Sequence, residues 1–131
     1  MLKGSCLCGG VSYQIDDQIE EIFFCHCSKC RKATGSAFNT ATPVKTERFT
    51  LLTGKDKLKS FYSSESAQRF FCSDCGSPIY SARDGQPEFI RLRVGTLDTP
   101  INPAHKTHIF TGSKAEWFDL CDDNPQFEER P

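Results

Sequence analysis

The sequence predicts an all-β protein, mainly antiparallel, with little helix and with cysteine-bound zinc holding a small domain together. Three observations predict it. Short stretches alternate apolar and polar residues with a period of two, as half-buried strands do. Gly- and Ser-bearing turns separate those stretches. Eight cysteines fall mostly in tight groups. The 131 residues are the size of one domain, and the eleven Phe residues recur along the whole length, which favours one modest core.

The elements follow in order. Residues 11–15 read as a strand, since Val11, Tyr13 and Ile15 are apolar and fall on one face. Residues 22–24 are a second strand leading into cysteines. Residues 28–33 suit one helical turn, with Ser28 as its N-cap. Residues 49–52 form a strand that stops at Thr53-Gly54, a turn signal. Residues 58–62 and 68–71 pair as a hairpin. Residues 78–80 follow another cysteine pair, residues 89–94 alternate well before Gly95, and residues 108–110 make a short late strand. About eight strands result. Residues 122–131 are polar and Pro-bearing. The domain is therefore placed at residues 1–121, with 122–131 as a loosely held tail.

The formal net charge is −1, so no bulk attraction to nucleic acid or an anionic membrane is expected. No apolar run reaches the roughly 20 residues that span a bilayer. No apolar stretch of signal-peptide length precedes Cys6, so a cytoplasmic protein is expected. Clustered thiols in a reducing compartment point to metal rather than disulfides.

The groups are Cys6-x-Cys8, Cys25-x-Cys27-x-x-Cys30 and Cys72-x-x-Cys75, with Cys121 alone. Zinc takes four ligands in a tetrahedron, and a C-x-x-C turn places two sulfurs on one ion. Gly76, just after Cys75, suits the tight backbone of such a turn. Seven thiolates fill one four-sulfur site and leave three for a second ion. Closed sites are structural, while a site with an open position can be catalytic. Spacing alone does not say which cysteines share an ion. Cys27 and Cys30 with Cys72 and Cys75 would make a zinc ribbon, but the 41 residues between Cys30 and Cys72 exceed the roughly 15–20 usual there. Cys6, Cys8, Cys72 and Cys75 as one set leave Cys25, Cys27 and Cys30 as a contiguous triad on one loop, and this partition is preferred. Two purely structural zincs are the competing reading of the same spacing.

The residues from Gly4 to Val11, the run Cys25-His26-Cys27-Ser28-Lys29-Cys30-Arg31-Lys32 and the run from Phe71 to Pro78 resemble the glutathione-dependent formaldehyde-activating enzymes. The centromere protein V group shares this domain. Further matches are the run from Val94 to Asp98, His108-Ile109-Phe110 and the run from Ser113 to Phe118. The resemblance implies an all-β fold of the β-tent type. It implies a structural zinc on Cys6, Cys8, Cys72 and Cys75, and a catalytic zinc on Cys25, Cys27 and Cys30. It also implies a carbon–sulfur lyase activity, the formation or cleavage of S-hydroxymethylglutathione, with glutathione as co-substrate. The expected partner is thus a small thiol–aldehyde substrate. The chain is shorter than the family's named enzymes, so fold and zincs transfer more securely than substrate.

Around the triad, Arg31, Lys29 and Lys32 are candidates to offset thiolate charge. His26 lies between two ligands; as a fourth ligand it would close the site, but strand alternation points it away from their sulfurs. His108 reads as a hydrogen-bonded, half-buried histidine. Phe38 and Asn39 are candidates to line the mouth of the site. Trp117 and Phe118 read as core, and Cys121 as a buried thiol rather than a ligand. Two other functions compete with the lyase. One is a non-catalytic zinc module that presents a surface to protein or nucleic acid. The other is a C-x-x-C pair cycling to disulfide, which zinc ligation by the same sulfurs disfavours.

Overall fold

The computed structural model describes all of residues 1–131. Its strands are β1 (Leu2–Ser5), β2 (Ser12–Ile15), β3 (Glu21–Cys25), β4 (Asn39–Lys45), β5 (Phe49–Thr53), β6 (Leu58–Tyr62), β7 (Ala67–Cys72), β8 (Pro78–Arg83), β9 (Phe89–Arg93) and β10 (His105–Ile109). One α-helix, α1 (Ser28–Thr34), and three single 3₁₀ turns complete it. The protein is all-β with little helix, as its alternation predicts. No helix is long and apolar enough to cross a membrane.

The chain divides into two compact units. The first takes residues 1–18 and 42–101. Its strands make an antiparallel sheet in the order β1-β2-β5 and an antiparallel run β9-β8-β7-β6. The alternation of β2 puts Tyr13 and Ile15 inside, both fully buried, with Val11 just before them. Tyr13 stacks on Phe49 at 5.2 Å, and Phe49 meets Tyr80 edge-on at 5.3 Å. Ile79, Ile90 and Leu92 complete the core. Each such buried aliphatic side chain contributes about 2 kcal/mol of transfer free energy.

The second unit takes residues 19–41 and 102–131. Here β10 runs parallel to β3, and Asn39–Ala41 of β4 pairs antiparallel to β3 on its other side. Helix α1 follows β3. It closes at Gly35, whose φ of 65° is the left-handed conformation that glycine adopts without a Cβ clash.

Two strands have no counterpart among the eight expected. β1 is four residues long with Gly4 inside it, too little alternation to register. β4 carries Pro43 and two threonines, a composition that reads as loop; its ladder to β3 covers only Asn39 to Ala41, so Pro43 removes no donor there. The N-cap of α1 is Cys27 rather than Ser28. Its backbone is extended, and its sulfur accepts from Cys30 N–H.

Residues 122–131 differ most from expectation, because they are tied down. β10 is an edge strand, and its unpaired backbone groups need partners. His108 N–H donates to Pro125 O, Phe127 N–H to His108 O and Phe110 N–H to Glu129 O, each at 2.9 Å. The segment therefore covers the edge of β10 as a clasp.

Candidate metal centres

The fold gathers seven cysteines into two groups. The sulfurs of Cys6, Cys8, Cys72 and Cys75 all lie within 4.8 Å of one another, and so do those of Cys25, Cys27 and Cys30. These are the groups of the contiguous-triad partition. All eight cysteines are free thiols.

In the four-cysteine group, the 6–8 turn and the 72–75 turn face each other. Gly9 N–H donates to Cys6 O at 3.0 Å, and Gly76 N–H to Cys72 O at 2.7 Å. Gly76 has φ +81°, the glycine conformation that a C-x-x-C-G turn suggests. The sulfurs of Cys6 and Cys8 are 3.6 Å apart, and those of Cys8 and Cys72 are 3.9 Å apart. A tetrahedron with metal–sulfur arms of about 2.3 Å has edges of about 3.8 Å, so the donor set has the size of a zinc-type site. Neighbouring groups already favour a thiolate there. The Ser77 hydroxyl first, then the backbone N–H groups of Ser77 and Cys8, bring the Cys75 thiol down to about 5. Ser77 Oγ accepts from Leu7 N–H at 2.9 Å and from the Cys75 thiol at 3.3 Å. Once that thiol ionises, the Ser77 hydroxyl turns its own proton to the sulfur. Against the opposing N–H of Gly10, the adjacent Cys6 sulfur and burial hold Cys8 up, at about 11. Sulfurs this close resist sharing several negative charges, and a cation among them relieves the strain.

The triad sits where β3 runs into α1. Cys25 ends β3, Cys27 caps the helix and Cys30 lies in its first turn. Cys25, Cys30 and Ile109 form a buried cluster, with Phe23, Cys27 and Phe110 packed on it. Cys30 N–H donates to Cys27 Sγ at 3.3 Å, and Asn39 Nδ2 donates to Cys30 Sγ at 3.8 Å. The Cys27 and Cys30 sulfurs, followed by burial, push the Cys25 thiol far above its ordinary value. As in the other group, crowded sulfurs without a counter-charge stay protonated, and a divalent cation would reverse this. Arg31 is half-buried and its Nε is a buried donor without a partner, while Lys29 and Lys32 are exposed.

His26 stands apart from the sulfurs, as alternation predicts. Phe23, Cys25 and Cys27 share a face with Ile109; Phe24 and His26 share the other with His108 and Phe38. His26 is fully buried, and its Nε2 is 2.9 Å from His108 Nδ1. His108 Nε2 in turn donates to Asp122, with oxygens at 3.0 and 3.2 Å. Burial first, then the charges of His108 and Lys114, bring the His26 imidazole down to about 4. His108 is more buried than expected, at 2% exposure. This chain of three residues spans 96 positions in sequence, and local pattern carries no trace of it.

The remaining candidates sort plainly. Asn39 touches the triad and Phe38 packs on His26 at 5.1 Å instead. Phe118 is half-buried beside Phe38 at 5.5 Å. Trp117, expected in the core, is 69% exposed, and Cys121, expected to be buried, is exposed and outside both groups. Apolar composition in the segment 117–121 draws Phe118 and Leu120 only part-way inward, because no strand follows to bury the alternate side chains.

An all-β protein with two cysteine groups, each able to hold a metal ion, is the class that fold and site define. The chain belongs to the glutathione-dependent formaldehyde-activating enzyme family, whose sequence model matches residues 1–113. A protein of Halomonas elongata, provisionally named a glutathione-dependent formaldehyde-activating enzyme, is 27% identical over 128 residues, covering 92% of this chain and 81% of its own length. An Aspergillus flavus protein of the same provisional name is 30% identical over 77 residues, covering 57% of this chain and 40% of its own length. Among solved structures, a Rhodobacter sphaeroides protein is similar, with a TM-score of 0.63 at 25% identity, covering 77% of this chain and 91% of that one.

Proposed function

We propose that this protein is a zinc-dependent carbon–sulfur lyase that makes or splits the adduct of a thiol and formaldehyde, with glutathione as the thiol. The observation that carries the reading is the unequal division of sulfurs, four in one group and three in the other. Family membership and the names of the relatives supply the substrate class. Cys6, Cys8, Cys72 and Cys75 would hold a structural zinc, and Cys25, Cys27 and Cys30 a second one with room for a substrate. Soft thiolates at tetrahedral spacing favour zinc over the harder divalent ions. When bound to the triad, zinc would lower the pKa of an incoming thiol and polarise an aldehyde.

The residues of the chain do the rest. Cys27 is both donor and helix cap, so its sulfur is fixed by the start of α1. Asn39 donates to Cys30, which draws electron density from that sulfur and tempers the excess of negative charge from three thiolates. Arg31 adds a cation within one residue of Cys30. In the reaction a sulfur–carbon bond forms as the carbonyl π bond breaks, and the thiol proton ends on the aldehyde oxygen; no electrons leave or enter. The free thiols suit a reducing compartment, and we place the reaction in the cytoplasm.

Purified protein should carry two zinc equivalents. Cys27→Ser should lose one of them, keep the fold and abolish turnover of S-hydroxymethylglutathione. Full turnover by this variant would remove the triad from the chemistry, and retention of both zincs would remove Cys27 from the ligands.

A further inference from the structure

We infer that Asp122, His108 and His26 form a positioning chain that holds the three-cysteine loop from its reverse face. The inference rests on the reading of Cys25, Cys27 and Cys30 as metal ligands. Hydrogen-bond chemistry sets the order of the chain. An ionised Asp122 only accepts, so His108 must donate through Nε2. The proton between the rings is assigned to His26 Nε2, with His108 Nδ1 accepting, because the reverse arrangement would put an N–H on the buried His26 Nδ1, where nothing accepts it. His26 Nδ1 is left bare, and it is a buried atom with no partner. One carboxylate thus selects the tautomer of two rings.

The same chain fixes position. The His26 backbone N–H donates to Ile109 O at 3.0 Å, so main chain and side chain of the residue between two cysteines both grip β10. Phe24 lies 4.8 Å from the His108 ring, and Phe38 lies 5.1 Å from that of His26, which leaves little room for either ring to turn. Without Asp122, His108 loses its reason to keep the proton on Nε2. A proton on Nδ1 would either meet the His26 N–H head-on or drive the His26 proton to its buried Nδ1, where no acceptor waits; both loosen the grip on the loop. Asp122 lies on the clasp segment, beyond residue 113, where the match to the family model ends.

The test uses the full-length chain loaded with cadmium, whose NMR signal separates a four-sulfur from a three-sulfur site. The Asp122 side chain is 45% exposed, so Asp122→Ala removes little buried surface, and cadmium retained at the four-cysteine site reports that the variant is folded. It should weaken cadmium binding at the three-cysteine site about tenfold in competition with a chelator, the lower end of what partners of metal ligands contribute. The four-cysteine site should keep its affinity. Nitrogen NMR should show His26 with a bare Nδ1 and a protonated Nε2 in the unaltered protein, and the pattern should be lost in Asp122→Ala and restored in Asp122→Glu. Unchanged cadmium affinity at the triad, equal weakening of both sites, or a protonated Nδ1 on His26 in the unaltered protein would overturn the inference. No cadmium at the triad of the unaltered protein would overturn the proposed function as well, which separates the two failures.

Discussion

His26 shows how one residue can be read two ways from sequence and settled by its surroundings. Between Cys25 and Cys27 it is a candidate ligand by composition alone. Its ring instead lies on the opposite face, fully buried against His108. That burial lowers its affinity for protons, with a consequence for stability. The unfolded chain's histidine titrates near 6.5 and the folded one near 4, so between those values the unfolded state binds more protons. Stability is present in full above about pH 6.5 and is lost as pH falls toward 4. We predict that His26 stays neutral down to about pH 5 in an NMR titration and that metal-free protein loses stability over the same window. A midpoint near 6.5 would contradict the burial argument. The cysteines were legible because their donor chemistry is written into short spacings. The histidine pair was not, since its partners are 82 residues apart and neither carries a local signal. Trp117 and Cys121 are exposed despite their apolar character, which states a preference for burial and not a place for it.

At the level of elements, alternation revealed eight of the ten strands and their bounds to within a few residues. It missed those with too little contrast, β1 and the Pro-bearing β4. Pairing direction is also absent from local pattern. The parallel match of β10 to β3 sets His108 beside Phe24 and Ile109 beside Cys25, and so brings the late strand to the triad. Nothing in the local pattern of residues 122–131 marks the clasp, because its bonds are made by backbone groups, which every sequence possesses. It offers β10 several hydrogen bonds, each contributing about 1 kcal/mol net. We predict that a chain ending at residue 121 loses hydrogen-exchange protection at the His108 and Phe110 amides, while Tyr13 and Leu92 in the other unit keep theirs. Equal protection in both chains would show that the clasp holds nothing.

Across the whole molecule, two compact units each carry one cysteine group, and each unit is built from segments distant in sequence. Residues 1–18 and 42–101 bring Cys6 and Cys8 to Cys72 and Cys75, across 64 positions from Cys8 to Cys72. A metal among these four would close a long loop, which favours a structural role. Residues 19–41 hold the whole triad on one short stretch, where a metal would close almost no loop and contribute less to folding. The division of labour between a closed site and an open one is the claim on which the function depends. Zinc-edge anomalous diffraction from crystals of the purified protein tests it most directly. The account predicts two zinc peaks, one surrounded by the sulfurs of Cys6, Cys8, Cys72 and Cys75, the other by those of Cys25, Cys27 and Cys30 with no fourth protein ligand. A single peak, or a protein side chain closing the second site, would contradict it.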